Sequence, residues 1–167
     1  MALRFLEACN HGRLDTIINM RNVIDFNIRN YWGDTGLMNA SYYGYSNVVN
    51  YLVKNGASVN VANCYGSTAL HWAASGNHVD IIKILVHNGA NIHTIDKHFS
   101  TAKMVATIHG YDNVIQFLTH CEIVDATLAL SPLKLSPYVL LWILQWAYQI
   151  KDRDQLRVLR LVESIKH

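Results

Sequence analysis

Gly66-Ser67-Thr68-Ala69-Leu70-His71-Trp72-Ala73-Ala74 opens a stretch that continues as Gly76-Asn77-His78-Val79-Asp80-Ile81-Ile82-Lys83-Ile84-Leu85 and closes as Asn88-Gly89-Ala90-Asn91-Ile92. Its pattern recurs on both sides. Gly33, Thr35, Leu37, Ala40, Val48, Leu52, Gly56, Ala57 and Val59 stand 33 residues before their counterparts in this stretch, and Thr101, Ala106, Val114 and Leu118 stand 33 after. A fixed step of that size marks a stack of small units that bury their apolar faces against one another.

The central stretch resembles an ankyrin repeat, whose pattern is G-x-T-P-L-H-x-A-A, a Gly-His loop, an apolar helix and G-A-x-V-N. Ala69 replaces the usual Pro. The resemblance extends over residues 2–122. It implies an all-α fold, a solenoid of stacked helix-turn-helix units with β-hairpin fingers, in repeats of about 1–30, 31–63, 64–96 and 97–122.

The residues assign structural roles within each unit. Thr35 and Thr68 can cap first helices, and Ala40, Ala73 and Ala74 are small enough for close helix packing. Leu37, Leu52, Leu70 and Leu85 are expected in the core, and Gly56 and Gly89 at left-handed turns just past the second helices. His71 and His78 match family histidines, so they are expected to bond backbone groups of loops and neighbouring units. Asp15 and Asp80 read as solvated residues near helix starts.

The terminal units differ from the inner ones. Leu3, Leu6, Ala8, His11-Gly12, Leu14, Ile17 and Ile18 predict two short helices with no finger before them, a first capping repeat. In the fourth unit Asp96-Lys97-His98-Phe99 replaces the usual finger, with Phe99 at the Gly position. Lys103 and Met104 stand where Leu70 and His71 stand, and Cys121-Glu122 replaces Gly-Ala. These departures read as decay near an edge.

Residues 123–167 leave the pattern and are expected to form a C-terminal helical pair packed on the last repeat. Ser136-Pro137 is a cap followed by a first-turn proline. Val139, Leu140, Ile143, Leu144, Trp146, Ala147 and Ile150 then make a helix apolar nearly all round. Asp154 starts a second helix with Val158, Leu161, Val162 and Ile165 on one stripe. The pair reads either as a cap or as a recruitment module. For the second reading, Leu135-Ser136-Pro137, Val139-Leu140-Leu141, Ile143-Leu144, Asp154, Leu156 and Leu161-Val162 resemble an F-box-like module.

Composition narrows the function classes. A net charge of +2 spread along 167 residues offers no basic stripe for phosphates, so nucleic acid is not an expected partner. Three widely spaced cysteines, Cys9, Cys64 and Cys121, fit neither a disulfide framework nor a zinc site and suggest a reducing compartment. The start lacks a signal-peptide core, and no apolar run is long enough to span a bilayer. The expected protein is a cytoplasmic or nuclear monomer without metal or cofactor. No catalytic residue is assigned, because no nucleophile and base, phosphate loop or paired carboxylates stand at workable spacing.

Function is expected on the concave face of finger tips and first helices. Tyr31, Trp32, Asp34, Tyr42 and Tyr43 occupy it in one unit and Cys64, Tyr65, Ser67, Trp72 and Ser75 in the next. Lys97, His98, Ile108 and His109 extend it. Aromatics of this kind anchor protein interfaces, or, for Trp72 and Tyr43 especially, pack against the next unit. The expectation is a non-catalytic scaffold, adaptor or inhibitor, binding a protein through Tyr31, Trp32, Tyr42, Tyr43, Tyr65, Trp72, Lys97, His98 and His109. One alternative is a substrate adaptor holding a ubiquitin-ligase component through residues 131–167. Another is an inhibitor of Rel-type transcription factors. Asn60 also sits where ankyrin proteins are open to asparagine hydroxylation.

Overall fold

Threonine every 33 residues starts the inner helices. In the computed structural model, which describes residues 1–129, Thr35 Oγ1 accepts from the Met38 amide at 3.3 Å and Thr101 Oγ1 from the Met104 amide at 3.3 Å. Each satisfies an amide that has no partner within its helix. The helices are α1 (Ala2–Asn10), α2 (Leu14–Met20), α3 (Gly36–Tyr42), α4 (Ser46–Lys54), α5 (Ala69–Ser75), α6 (Val79–His87), α7 (Ala102–His109) and α8 (Asp112–Ala129). α1, α3, α5 and α7 pack successively as one row, and α4 packs on α6 beside it. Met1–Ile115 form one compact unit. A second, Gln116–His167, begins inside α8.

The expected core residues Leu37, Leu52, Leu70, Leu85, Ala40, Ala73 and Ala74 are all buried. Each large one contributes roughly 1.5–3 kcal/mol through removal from water. The first repeat is the two-helix unit expected, closed by Phe5 against Phe26 at 5.6 Å and Phe26 against Tyr51 at 6.1 Å. Phe5 explains Gly36, which stands where the next repeats have Ala69 and Ala102. A Cβ at position 36 would lie 2.7 Å from Cys9 Sγ and 2.8 Å from the Phe5 ring.

Hydrogen bonds crossing from repeat to repeat recur at the same step. Asn27 Oδ1 accepts from the Ser58 amide at 2.8 Å and its Nδ2 donates to Gly56 O at 3.3 Å. Asn60 repeats both bonds with the Asn91 amide and Gly89 O, each at 2.8 Å. His78 Nε2 reaches Tyr42 O at 2.9 Å, as the Gly-His loop implied.

The fingers are tighter than hairpins with strands. Among the described residues the one bridge in them pairs Arg29 with Thr35, and no strand forms. Asn30, Asn63 and Asp96 organise them. The side-chain oxygen of each accepts two amides of its own finger at 2.8–3.0 Å: Trp32 and Asp34, then Tyr65 and Ser67, then His98 and Ser100. The fourth finger is therefore intact, which corrects the reading of Asp96-Lys97-His98-Phe99 as a replacement for it.

Phe99 has a physical reason. Gly33, Gly66 and Phe99 all hold positive φ, at 80°, 77° and 57°. Each finger also donates to the one before, Cys64 N–H to Trp32 O at 3.0 Å and Lys97 N–H to Tyr65 O at 2.9 Å. That contact presses backbone onto the glycine: a Cβ at Gly33 would lie 3.2 Å from the Asn63 Cα, and at Gly66 3.1 Å from the Asp96 Cα. No finger follows the last one among the described residues, so position 99 escapes the steric demand and keeps only the torsional one.

The last helix departs from its predecessors in length. α4 and α6 have 9 residues and end at Asn55-Gly56 and Asn88-Gly89, where each Asn Nδ2 donates to a helix carbonyl at 2.7 Å. With Cys121-Glu122 at that point, nothing turns the chain, and α8 runs through 18 residues. The division at 122/123 falls inside it. The expected helices beyond Pro137, the Arg-lined face and the F-box-like resemblance lie outside the described residues.

His71 ties the third repeat to the fourth. Its Nδ1 accepts from the Thr68 amide at 3.2 Å and lies 3.0 Å from Thr68 Oγ1, while Nε2 donates to Ser100 O at 3.0 Å. This arrangement uses a neutral ring with its proton on Nε2. Burial pulls its pKa below the ordinary 6.5, opposed by the Ser100 and Thr94 carbonyls and the Asp96 charge.

Two predictions follow from these contacts. Gly66→Ala should destabilise by about 1–2 kcal/mol, whereas Phe99→Gly should leave stability unchanged or raise it by up to about 1 kcal/mol. Urea unfolding measures both, and a clear loss with Phe99→Gly would show that its ring packs. For His71, a lowered folded pKa means that its contribution is complete above 6.5 and is lost as pH falls from there through the folded value. Melting temperature should drop over that window, less steeply in His71→Met, which carries the residue found at positions 38 and 104; identical slopes would remove His71 as the cause.

Candidate protein-binding face

Large aromatic side chains cluster where the repeat pattern needs none. On the finger tips, Trp32 stacks on Tyr65 with centroids 6.2 Å apart and planes 21° apart, and Tyr31 meets Trp32 edge-on at 5.1 Å. The two fingers align these rings because Cys64 N–H bonds to Trp32 O. On the inner helices, Tyr42 meets Tyr43 edge-on at 5.1 Å and Trp72 edge-on at 5.4 Å. Tyr43 also lies 6.3 Å from Tyr45.

These rings order one another yet remain wet. Tyr31 is 91% exposed, Trp32 51%, Tyr42 40%, Tyr43 53% and Tyr65 46%. Trp72 is half-buried, and its Nε1 has no hydrogen-bond acceptor among the described residues. It packs on Tyr42 of the preceding repeat, not against the next unit, and Tyr43 packs within its own repeat. The expected aromatics thus form two clusters, one on the tips and one on the helices.

Other expected residues are placed differently. Asp34 is committed to the scaffold, with Oδ2 accepting from Asn30 Nδ2 at 3.1 Å and Oδ1 from Asn63 Nδ2 at 2.7 Å, so it links two fingers. Lys97 and His98 are exposed on the last finger, while His109, also exposed, stacks on Tyr111 at 5.4 Å. Sequence reasoning missed Phe99 as a surface residue. It is 78% exposed beside Lys97 and His98, joined by Ile108 at 75%. A bulky residue at a glycine position was the available signal.

The electrostatics are sparse. α3 and α5 contain no Asp, Glu, Lys or Arg. Among the described residues no three His, Cys, Asp or Glu side chains converge as a metal site. The cysteines are free; Cys9 is buried, which pushes its thiol up to about 12, and Cys64 is exposed. No described helix is long and apolar enough to cross a membrane.

Comparison with known proteins agrees with this architecture. A family model described as ankyrin repeats in 3 copies matches residues 5–96, more than half the chain. No curated protein matches it. Repeats of this kind generally mediate protein–protein interaction and are typically non-catalytic. The threonine caps, His71, the Gly-His loop and the 33-residue ladder of fingers are thus the marks of a family, and the chain belongs to the ankyrin repeat proteins.

Proposed function

We propose that the chain is a non-catalytic scaffold, an adaptor or inhibitor, that holds a protein partner across the finger tips and inner helices. The observation that carries this is the exposure of five large aromatic rings, 40–91%, on two successive repeats. Stacking the repeats does not require them. Exposed apolar patches of this kind, rimmed by polar groups, mark interaction sites, and Tyr and Trp dominate interface energetics because they bury much area at little entropic cost.

Trp32 and Tyr65 form the centre of the tip cluster, with Tyr42, Tyr43 and Trp72 as the helix cluster and Lys97, His98 and His109 at one end. Residues 123–167, as a helical extension on the last repeat, would leave this face as the recognition surface whether they cap the stack or recruit a further protein.

Trp32, Tyr42 and Tyr65 replaced together by Ala should leave the melting temperature within a few degrees, because each side chain is largely solvent-exposed. Retention of whatever protein the full chain captures from cell extract should fall by about a hundredfold or more, the loss expected of two or more interface anchors. Unchanged retention by a folded triple variant would refute this face.

A further inference from the structure

The charge and shape of the face narrow the partner's chemistry, on the reading that it binds protein. Between the first finger and the last, the inner helices α3 and α5 offer no charged side chain. Asp34 spends both oxygens on Asn30 and Asn63, and Arg29 Nη1 is turned to Ala62 O at 3.4 Å. Asp96 turns Oδ1 into its own finger. A charged segment laid over this region would lose hydration and gain no counter-charge. At the last finger the situation reverses, because Lys97 and His98 are exposed there.

The aromatic part is flat and donor-rich. Trp32 and Tyr65 present stacked rings, and the phenol hydroxyls of Tyr31, Tyr42, Tyr43 and Tyr65 bond to nothing among the described residues. A helix satisfies its own carbonyls and would bring only side chains to these donors. A polyproline segment leaves every carbonyl open, has no internal hydrogen bonds, loses little entropy on binding and packs its pyrrolidine rings on aromatic planes. It also carries no charge of its own.

We propose that the face takes an extended, proline-rich segment of a partner protein, its rings on Trp32 and Tyr65 and a carboxylate near one end of it at Lys97. The uncharged stretch of the segment matches the uncharged helices, and its acidic end matches the cationic finger. Charge complementarity at one end fixes the direction of the segment along the repeats.

The test uses the full chain labelled with ¹⁵N and three synthetic peptides. One repeats Pro-Pro-Ala and ends in Glu-Glu, its twin ends in Lys-Lys, and the third keeps Glu-Glu but has Ala and Gly in place of Pro. The indole N–H signals of Trp32 and Trp72, assigned by single substitution, report binding. The first peptide should shift them saturably and bind about tenfold tighter than either of the others. Lys97→Glu should invert the preference between the first two. Absence of a saturable shift at about a millimolar peptide, equal affinities, or indifference to Lys97→Glu would overturn the proposal.

Displaying a library of helical and extended peptides against the full chain and the Trp32, Tyr42, Tyr65 triple-Ala variant separates the two levels. Helical binders lost on the triple variant would overturn the proline-rich class while sustaining the face. Binders indifferent to the triple variant would overturn both. Indole shifts that depend on chain concentration without peptide would assign the face to a second copy of the chain and overturn the proposal.

Discussion

Backbone resting on backbone at the finger tips is the constraint on which the architecture turns. Cys64 N–H reaching Trp32 O and Lys97 N–H reaching Tyr65 O bring the next finger to within 3.2 Å of where a Cβ would stand at Gly33 and Gly66. The approach fixes the spacing of successive units, and the units are then held at that spacing by side chains that each span one step. Asn63 to Asp34, Asn27 to Gly56 O, Asn60 to Gly89 O, His78 to Tyr42 O and His71 to Ser100 O are all bonds between neighbours. Stability in such a stack is a sum of local units and of the interfaces between them.

The same step that builds the scaffold builds the surface. Because fingers are in register, any residue beside the tip glycine lies next to its counterpart 33 residues away, and two planar rings there must stack or diverge. Trp32 and Tyr65 stack. Likewise Tyr42 and Trp72 meet because α3 and α5 pack directly against each other. The aromatic clusters are therefore rigid through their repeat geometry, while remaining open to solvent. A surface already ordered in this way gives up little further freedom when a partner arrives.

Most of the scaffold was legible because its determinants are local. Thr35, Thr68 and Thr101 before apolar runs, the small Ala40, Ala73 and Ala74, and Gly56 and Gly89 after the outer helices announce the units one at a time. What escaped notice was relational. Asn30, Asn63 and Asp96 perform one task with two residue types, and the substitution of Asp for Asn hid the third finger's kinship with the others. Asp34 looked like a free surface carboxylate because nothing in its own repeat shows that Asn63 will arrive from the next. Trp72 could be placed on the inner helix from its position, but its packing on Tyr42 behind it, and not on the unit ahead, depends on the direction in which α5 meets α3. α8 was cut short in expectation at 122 because the repeat length was carried over to a unit that lacks the turning glycine.

Phe99 also sets a rule for how such an array can grow. Each finger must present a bare backbone to its successor, so a bulky residue at the tip closes the series on that side. Gene duplication that inserts a copy of residues 64–96 ahead of Lys97 would be accepted, since every tip buried by the insertion would still be glycine. A further finger laid directly on the existing last one would meet the Phe99 side chain. The chain thus carries, in a single residue, a direction in which it can be lengthened and one in which it cannot.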